Sequence, residues 1–152
     1  MARPEATDAV ERIVHIAAPP ETVYAFLTDP EKLVRWKGVS AELDARPGGI
    51  YRVDVTGGDI ARGEFLEATP YSRVVFTWGW EGADSPLPPG ASTVEITLTP
   101  DGDGTLVRLR HYGLPDAEQE SAHAAGWEHF LERLSTVASG GDPGPDPWVK
   151  TS

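Results

Sequence analysis

The sequence predicts an α+β domain in which a curved antiparallel sheet of about six to seven strands wraps a long C-terminal helix. Three observations predict it. Between Asp116 and Ala138, the residues His123, Trp127, Phe130, Leu131, Leu134, Val137 and Ala138 recur at three- and four-residue steps, while Glu118, Glu120, Glu128, Glu132 and Arg133 take the other side. That is an amphipathic helix with one apolar stripe. Between Val39 and Tyr112 the apolar period shortens to two, and glycine and proline clusters cut the stretch into strands. Ahead of both lie one further strand and two helical segments too short to stand alone.

The chain divides into a flexible N-terminal arm over 1–10, a single domain over 11–138 and a tail over 139–152 expected to be disordered. Arg12 to Ala18 reads as the first strand, ended by Pro19-Pro20 because proline has no donor for a ladder. Glu21 to Leu27 forms a short helix, and Thr28-Asp29-Pro30 caps a second over Glu31 to Trp36, with proline in its first turn. Strands are expected at about 39–44, 49–56, 60–68, 72–80, 91–99 and 104–112, in an antiparallel meander. Alternation nominates one buried face: Tyr51, Val53 and Val55; Phe76, Trp78 and Trp80; Val94, Ile96 and Leu98; Val107, Leu109 and His111. The strand at 60–68 is ambiguous, since Gly63 and Phe65 alternate with Glu64 and Leu66.

The long helix is signed at both ends, by Asp116 as N-cap with Gln119 three residues on, and by Ser139-Gly140-Gly141. Burying Trp127, Phe130, Leu131 and Leu134 contributes roughly 1.5–3 kcal/mol each, against about 1 kcal/mol for the cap, so packing holds this helix. Gly126 inside it costs about 1 kcal/mol relative to alanine. Either a strand crosses tightly there or room is left for a ligand. The tail GGDPGPDPWVKTS is rich in proline and glycine, and only Trp148 suggests docking.

Composition removes several function classes. An apolar fraction of 39% with 24% charged residues describes a soluble globular protein. No stretch approaches the ~18–20 apolar residues of a membrane span, and the N-terminus lacks the apolar core of a signal peptide, so the expected location is cytoplasmic. Without cysteine there is no disulfide, thiolate nucleophile or cysteine metal site. A formal net charge of −11 with scattered arginines argues against nucleic acid.

No nucleophile elbow, dinucleotide fingerprint, P-loop, zincin or EF-hand pattern occurs. His123 and His129 lie six apart, roughly 240° around a helix, and the four histidines are not expected to pair, so neither a metal nor a cofactor is expected. What remains is a concentration of bulky residues on facing surfaces. Packing such a set between sheet and helix tends to leave irregular gaps, and a pocket of ~300–1,000 Å³ is the size that holds a small ligand. The candidate ligand-binding residues are Trp36, Tyr51, Val53, Phe65, Phe76, Trp78, Ile96, Leu109, His111, His123, Gly126, Trp127 and Phe130. For acid–base chemistry the weak candidates are His111, which alternation points inward, Glu64 and Tyr112.

The order of these fragments resembles a known superfamily. Ile16-Ala17-Ala18-Pro19-Pro20-Glu21-Thr22-Val23-Tyr24, Leu27-Thr28-Asp29-Pro30-Glu31-Lys32-Leu33 with Trp36, Arg46-Pro47-Gly48-Gly49, Gly63-Glu64, Val75-Phe76-Thr77-Trp78, Gly104-Thr105 and His123 with Gly126-Trp127 are similar to the SRPBCC (START-like) proteins over roughly residues 10–138. The branch resembled is that of the C-terminal domain of the activator of Hsp90 ATPase. The resemblance implies a helix-grip fold of the START and Bet v 1 type, enclosing a deep apolar cavity. Its wider membership includes lipid and hormone binders, polyketide cyclases and aromatases, and a co-chaperone domain, with no shared catalytic residue to carry across.

Three readings follow. The first is a binding module for a small hydrophobic or aromatic ligand held between sheet and helix, without nucleic acid or integral membrane association. The second is a metal-free cyclase- or hydrolase-type enzyme acting on a polyketide-like substrate. The third is a protein-interaction domain, homodimeric or co-chaperone-like, using an exposed sheet face or edge.

Overall fold

The computed structural model describes residues 9–149. Strand β1 (Ala9–Ile16) is followed by helices α1 (Pro20–Thr28) and α2 (Pro30–Leu33), then by strands β2 (Ser40–Leu43), β3 (Ile50–Asp54), β4 (Ile60–Thr69), β5 (Arg73–Trp78), β6 (Ser92–Asp101) and β7 (Gly104–Tyr112), and by helix α3 (Ala117–Ala138). The seven strands form one antiparallel sheet in the order β1-β7-β6-β5-β4-β3-β2. Strands β2 to β7 are a continuous meander. The helical corner α1-α2 carries the chain from one edge of the sheet to the other.

The expected inward face is buried throughout, except that Trp80 is only partly covered. The ambiguity in β4 is resolved by Ala61 and Phe65, both fully buried, which leave Glu64 and Leu66 outside. A register shift between Phe65 and Glu67 bends this strand, and bulges of this kind give a sheet the curvature to close over a helix. Gly63 sits where β4 crosses β5, and a Cβ there would lie 1.9 Å from the Thr77 carbonyl oxygen.

Helix α3 buries His123, Trp127, Phe130, Leu131, Leu134, Val137 and Ala138, the stripe that the periodicity specifies. The Asp116 carboxylate accepts a hydrogen bond from the Gln119 backbone N–H at 2.9 Å. At the other end the Gly140 N–H donates to the Val137 carbonyl and the Gly141 N–H to the Thr136 carbonyl, with Gly140 at φ +97°. This paired arrangement satisfies the last carbonyls of the helix, and glycine adopts its left-handed turn without steric cost.

Three boundaries differ from expectation. The arm was expected to extend through residue 10, yet Ala9 and Val10 already pair with Tyr112 and His111; residues 1–8 of that arm lie outside the described residues. The second helix is one turn long, after which the Trp36 and Lys37 N–H groups both donate to the Leu33 carbonyl. Finally, the tail as far as residue 149 is laid back on α3 rather than disordered. Arg133 donates to the Pro143 and Gly144 carbonyls at 3.3 and 2.9 Å, and the Trp148 ring stacks on His129 at 3.8 Å between centroids. Proline and glycine removed the tail's own regular structure but not its ability to dock. Residues 150–152 lie outside the described set.

Candidate functional site

Under the N-terminal half of α3 the apolar packing does not close, and a cavity of about 360 Å³ remains. One wall is the helix itself, with Gln119, Ala122, His123, Gly126, Trp127 and Phe130. Opposite stand Val55, Thr56, Asp59 and Ile60 from the β3–β4 turn, and Trp78, Trp80 and Glu81 from the end of β5 and the residues after it. Lys37 and the docked Trp148 complete the lining. Glu81 is tied by the Arg52 guanidinium at 2.9 Å and lies 3.5 Å from Arg62, and these arginines hold its carboxyl below the usual range.

Beyond the helix's own backbone and the two neighbouring residues, no atom lies within 4 Å of where a Cβ on Gly126 would stand. The tight strand crossing considered for this position is therefore absent, and the missing side chain opens the cavity instead. The Trp78 ring meets Trp80 edge-on at 5.3 Å and tilts against Trp127 at 5.5 Å. These indole walls supply large, rigid apolar area.

Two buried histidines stand beside the cavity, with ring centroids 5.0 Å apart, although the sequence did not pair them. Their hydrogen bonds define their tautomers. Trp127 Nε1 donates to His111 Nδ1 at 3.0 Å, so the ring proton sits on Nε2 and is donated to Ser92 Oγ at 2.8 Å, which itself donates to the Trp78 carbonyl. Trp80 Nε1 donates to His123 Nε2 at 3.1 Å, leaving Nδ1–H to donate to the Gln119 carbonyl at 2.8 Å. Both rings are neutral and fully engaged. Burial pushes the His111 imidazole down to about 2, and a positive charge on His123 or Lys37 would push it the same way. Burial also lowers His123, against the opposing pull of the Gln119 carbonyl.

Lys37 is the residue that the sequence reading missed. It is 1% exposed, and its Nζ donates to Tyr51 Oη at 3.2 Å. Nζ lies 4.2 and 4.3 Å from the ring centroids of Trp78 and Trp127. No ion pair to it occurs among the described residues, and burial alone drives its amine well below the ordinary lysine range. Aromatic faces favour a cation by about 0.5–2 kcal/mol, whereas transferring an uncompensated ammonium out of water costs several kcal/mol, so desolvation wins. A lysine beside a tryptophan after one helical turn reads as solvated, and the weak sequence signal available was its choice over arginine in an arginine-rich chain.

Of the sequence-nominated ligand residues, Trp78, His123, Gly126, Trp127 and Phe130 line the cavity. Trp36, Tyr51, Val53, Phe65, Phe76, Ile96, Leu109 and His111 are buried core behind it, including a Tyr51–Phe76 stack with centroids 4.0 Å apart. Alternation identifies an inward face but not how deep along it packing is complete. The weak acid–base candidates are not brought together. His111 has both nitrogens occupied, Glu64 is exposed on the outer face, and the Tyr112 hydroxyl donates to Glu95 at 3.3 Å on the far side of the sheet.

Residues 17–139 match the Activator of Hsp90 ATPase homolog 1-like protein family. The chain belongs to this family. Within it, the chain is 51% identical to an AHSA1-like protein from Rhizobium etli whose solution structure covers 95% of this chain and 89% of that one at a TM-score of 0.73. DynU16, a protein of the dynemicin biosynthetic locus, is 29% identical over 93% of this chain and 51% of its own, with a TM-score of 0.79. An uncharacterized protein of Schizosaccharomyces pombe is 27% identical over 125 residues, and the chain spans 34% of that curated relative's length. These likenesses establish an AHSA1-like member of the SRPBCC superfamily with the helix-grip fold. Among the described residues no helix is long and apolar enough to cross a membrane.

Proposed function

We propose that this AHSA1-like domain binds a small hydrophobic or aromatic molecule in the cavity between α3 and the sheet. The observation that carries the proposal is the space opened by Gly126 in a lining that includes four tryptophans, Trp78, Trp80, Trp127 and Trp148. A glycine in the interior of a helix costs about 0.5–1 kcal/mol relative to alanine, and here it provides no close backbone contact in return. The stability given up is explained by the volume kept free. At about 360 Å³ the cavity is at the small end of the ligand-binding range, which suits two or three fused rings better than a long acyl chain. The likeness to a protein of a biosynthetic locus supports a small organic molecule as the ligand.

The test is a Gly126→Leu variant, which places a side chain in the space. It is expected to fold, to gain up to about 1 kcal/mol in helix propensity, and to lose ligand binding measured by tryptophan fluorescence and native mass spectrometry across planar aromatics. Undiminished binding by the folded variant would sink the proposal.

A further inference from the structure

We infer that Lys37 is a nucleophilic amine that captures aromatic aldehydes or ketones in the cavity as an imine. The inference rests on the ligand-binding reading above and adds to it the chemical class of ligand and a covalent step. Four observations converge on this side chain. It is sealed from solvent yet lines the cavity. Its Nζ is held between the faces of Trp78 and Trp127, at 4.2 and 4.3 Å from their centroids, so an aromatic ligand packed on those indoles brings its substituent to the amine. No carboxylate pairs with it among the described residues, and its histidine neighbours are held neutral by the hydrogen bonds of Trp80 and Trp127. An amine without a counter-ion in an apolar site is a nucleophile rather than a charge anchor. The fourth observation is the Tyr51 hydroxyl, 3.2 Å from Nζ, which burial keeps protonated.

The step balances within these groups. The Nζ lone pair attacks the carbonyl carbon and the carbonyl π bond breaks toward oxygen. The nitrogen loses a proton and the oxygen gains one, leaving a neutral carbinolamine. The C–O bond then breaks with loss of water as the nitrogen gives up its second proton, and a C=N bond remains. Tyr51 can donate its proton to the departing oxygen and recover one from nitrogen, ending unchanged. No oxidant or reductant is consumed, and hydrolysis returns the free amine.

The probe is 2-naphthaldehyde with sodium cyanoborohydride, which reduces an imine to a stable secondary amine. The chain carries three lysines, Lys32, Lys37 and Lys150, so peptide mapping reads the site directly. The expected result is one adduct, on Lys37, formed before Lys32 or the N-terminal amine is labelled, because an apolar site leaves its amine unprotonated. Lys37→Met should abolish it, and Tyr51→Phe should slow adduct formation by more than it weakens fluorescence quenching by the aldehyde. Quenching that Gly126→Leu abolishes, without any Lys37 adduct, would overturn the inference and leave ligand binding standing. Neither quenching nor adduct would overturn both. Naphthoic acid binding more tightly than the aldehyde, with that preference lost in Lys37→Met, would replace the amine's role by that of an anion holder and overturn the imine.

Discussion

At the scale of single residues, Lys37 and Gly126 are two places where this chain gives up stability around one volume. Lys37 also sets a sign for stability. Its folded amine holds a proton less readily than the unfolded one, so the unfolded state gains protons as pH falls below the ordinary lysine value, and at neutral pH the folded state is penalised. Replacing Lys37 by methionine, of similar length and without a charge to bury, is therefore expected to raise the free energy of unfolding by about 1–3 kcal/mol at pH 7. Urea denaturation checks this. A less stable variant would show that the aromatic faces, not desolvation, decide the amine's state.

At the scale of elements, α3 does two jobs along its length. Its C-terminal half carries Leu131, Leu134, Val137 and Ala138, all buried in the core, while its N-terminal half roofs the cavity. Arg133 links the two regions to the tail, since Nε donates to the Trp36 carbonyl at 3.1 Å while the other guanidinium nitrogens hold Pro143 and Gly144. His129 continues the attachment with a 2.8 Å contact to Asp146, and Trp148 ends it at the cavity's edge. Trp148 is 44% exposed, so its removal takes little from the core. A Trp148→Ala variant is expected to stay within about 0.5 kcal/mol of the parent in stability and to release ligand about two- to tenfold faster, because an aromatic stack worth roughly 0.5–1.5 kcal/mol no longer covers the opening. Stopped-flow displacement measures that rate, and an unchanged rate would leave the tail as a structural strap only.

At the scale of the whole molecule, the interior holds His111 and His123 in neutral form, and folding is coupled to that state. Their folded values are depressed, so the stability they contribute is present above the unfolded value near 6.5 and is lost as pH falls below it, down toward about 2 for His111. For His111 alone, going from pH 7 to pH 5 is expected to cost about 2 kcal/mol. Denaturation series at the two pH values should show this loss, and a His111→Gln variant should show a shallower slope. Equal slopes would mean that carboxylates alone set the acid limit. Among the described residues the interaction reading, homodimeric or co-chaperone-like, has scattered exposed apolar side chains such as Ile13 and Leu66 on the sheet.

Much of the fold was legible because it rests on local periodicity. The 3.6-residue stripe of α3, the two-residue alternation of β3 and β5 to β7, and the capping pair Asp116 and Gln119 are short-range patterns that burial enforces wherever they occur. Five of the thirteen nominated ligand residues also lie on the cavity, because an inward face and a cavity wall share one pattern. Tertiary structure decided the rest. Whether Tyr51 and Phe76 stack into core or line a void depends on how side chains from distant strands fill the space between them, and no single segment carries that sum. The direction of Lys37 depends on a one-turn helix ending early and on β3, β5 and α3 meeting around it. The sequence by itself determined which faces point inward, through the repeat of polar and apolar residues. Only the assembled molecule decided where the inward faces fail to meet, because a cavity is a property of all its walls at once.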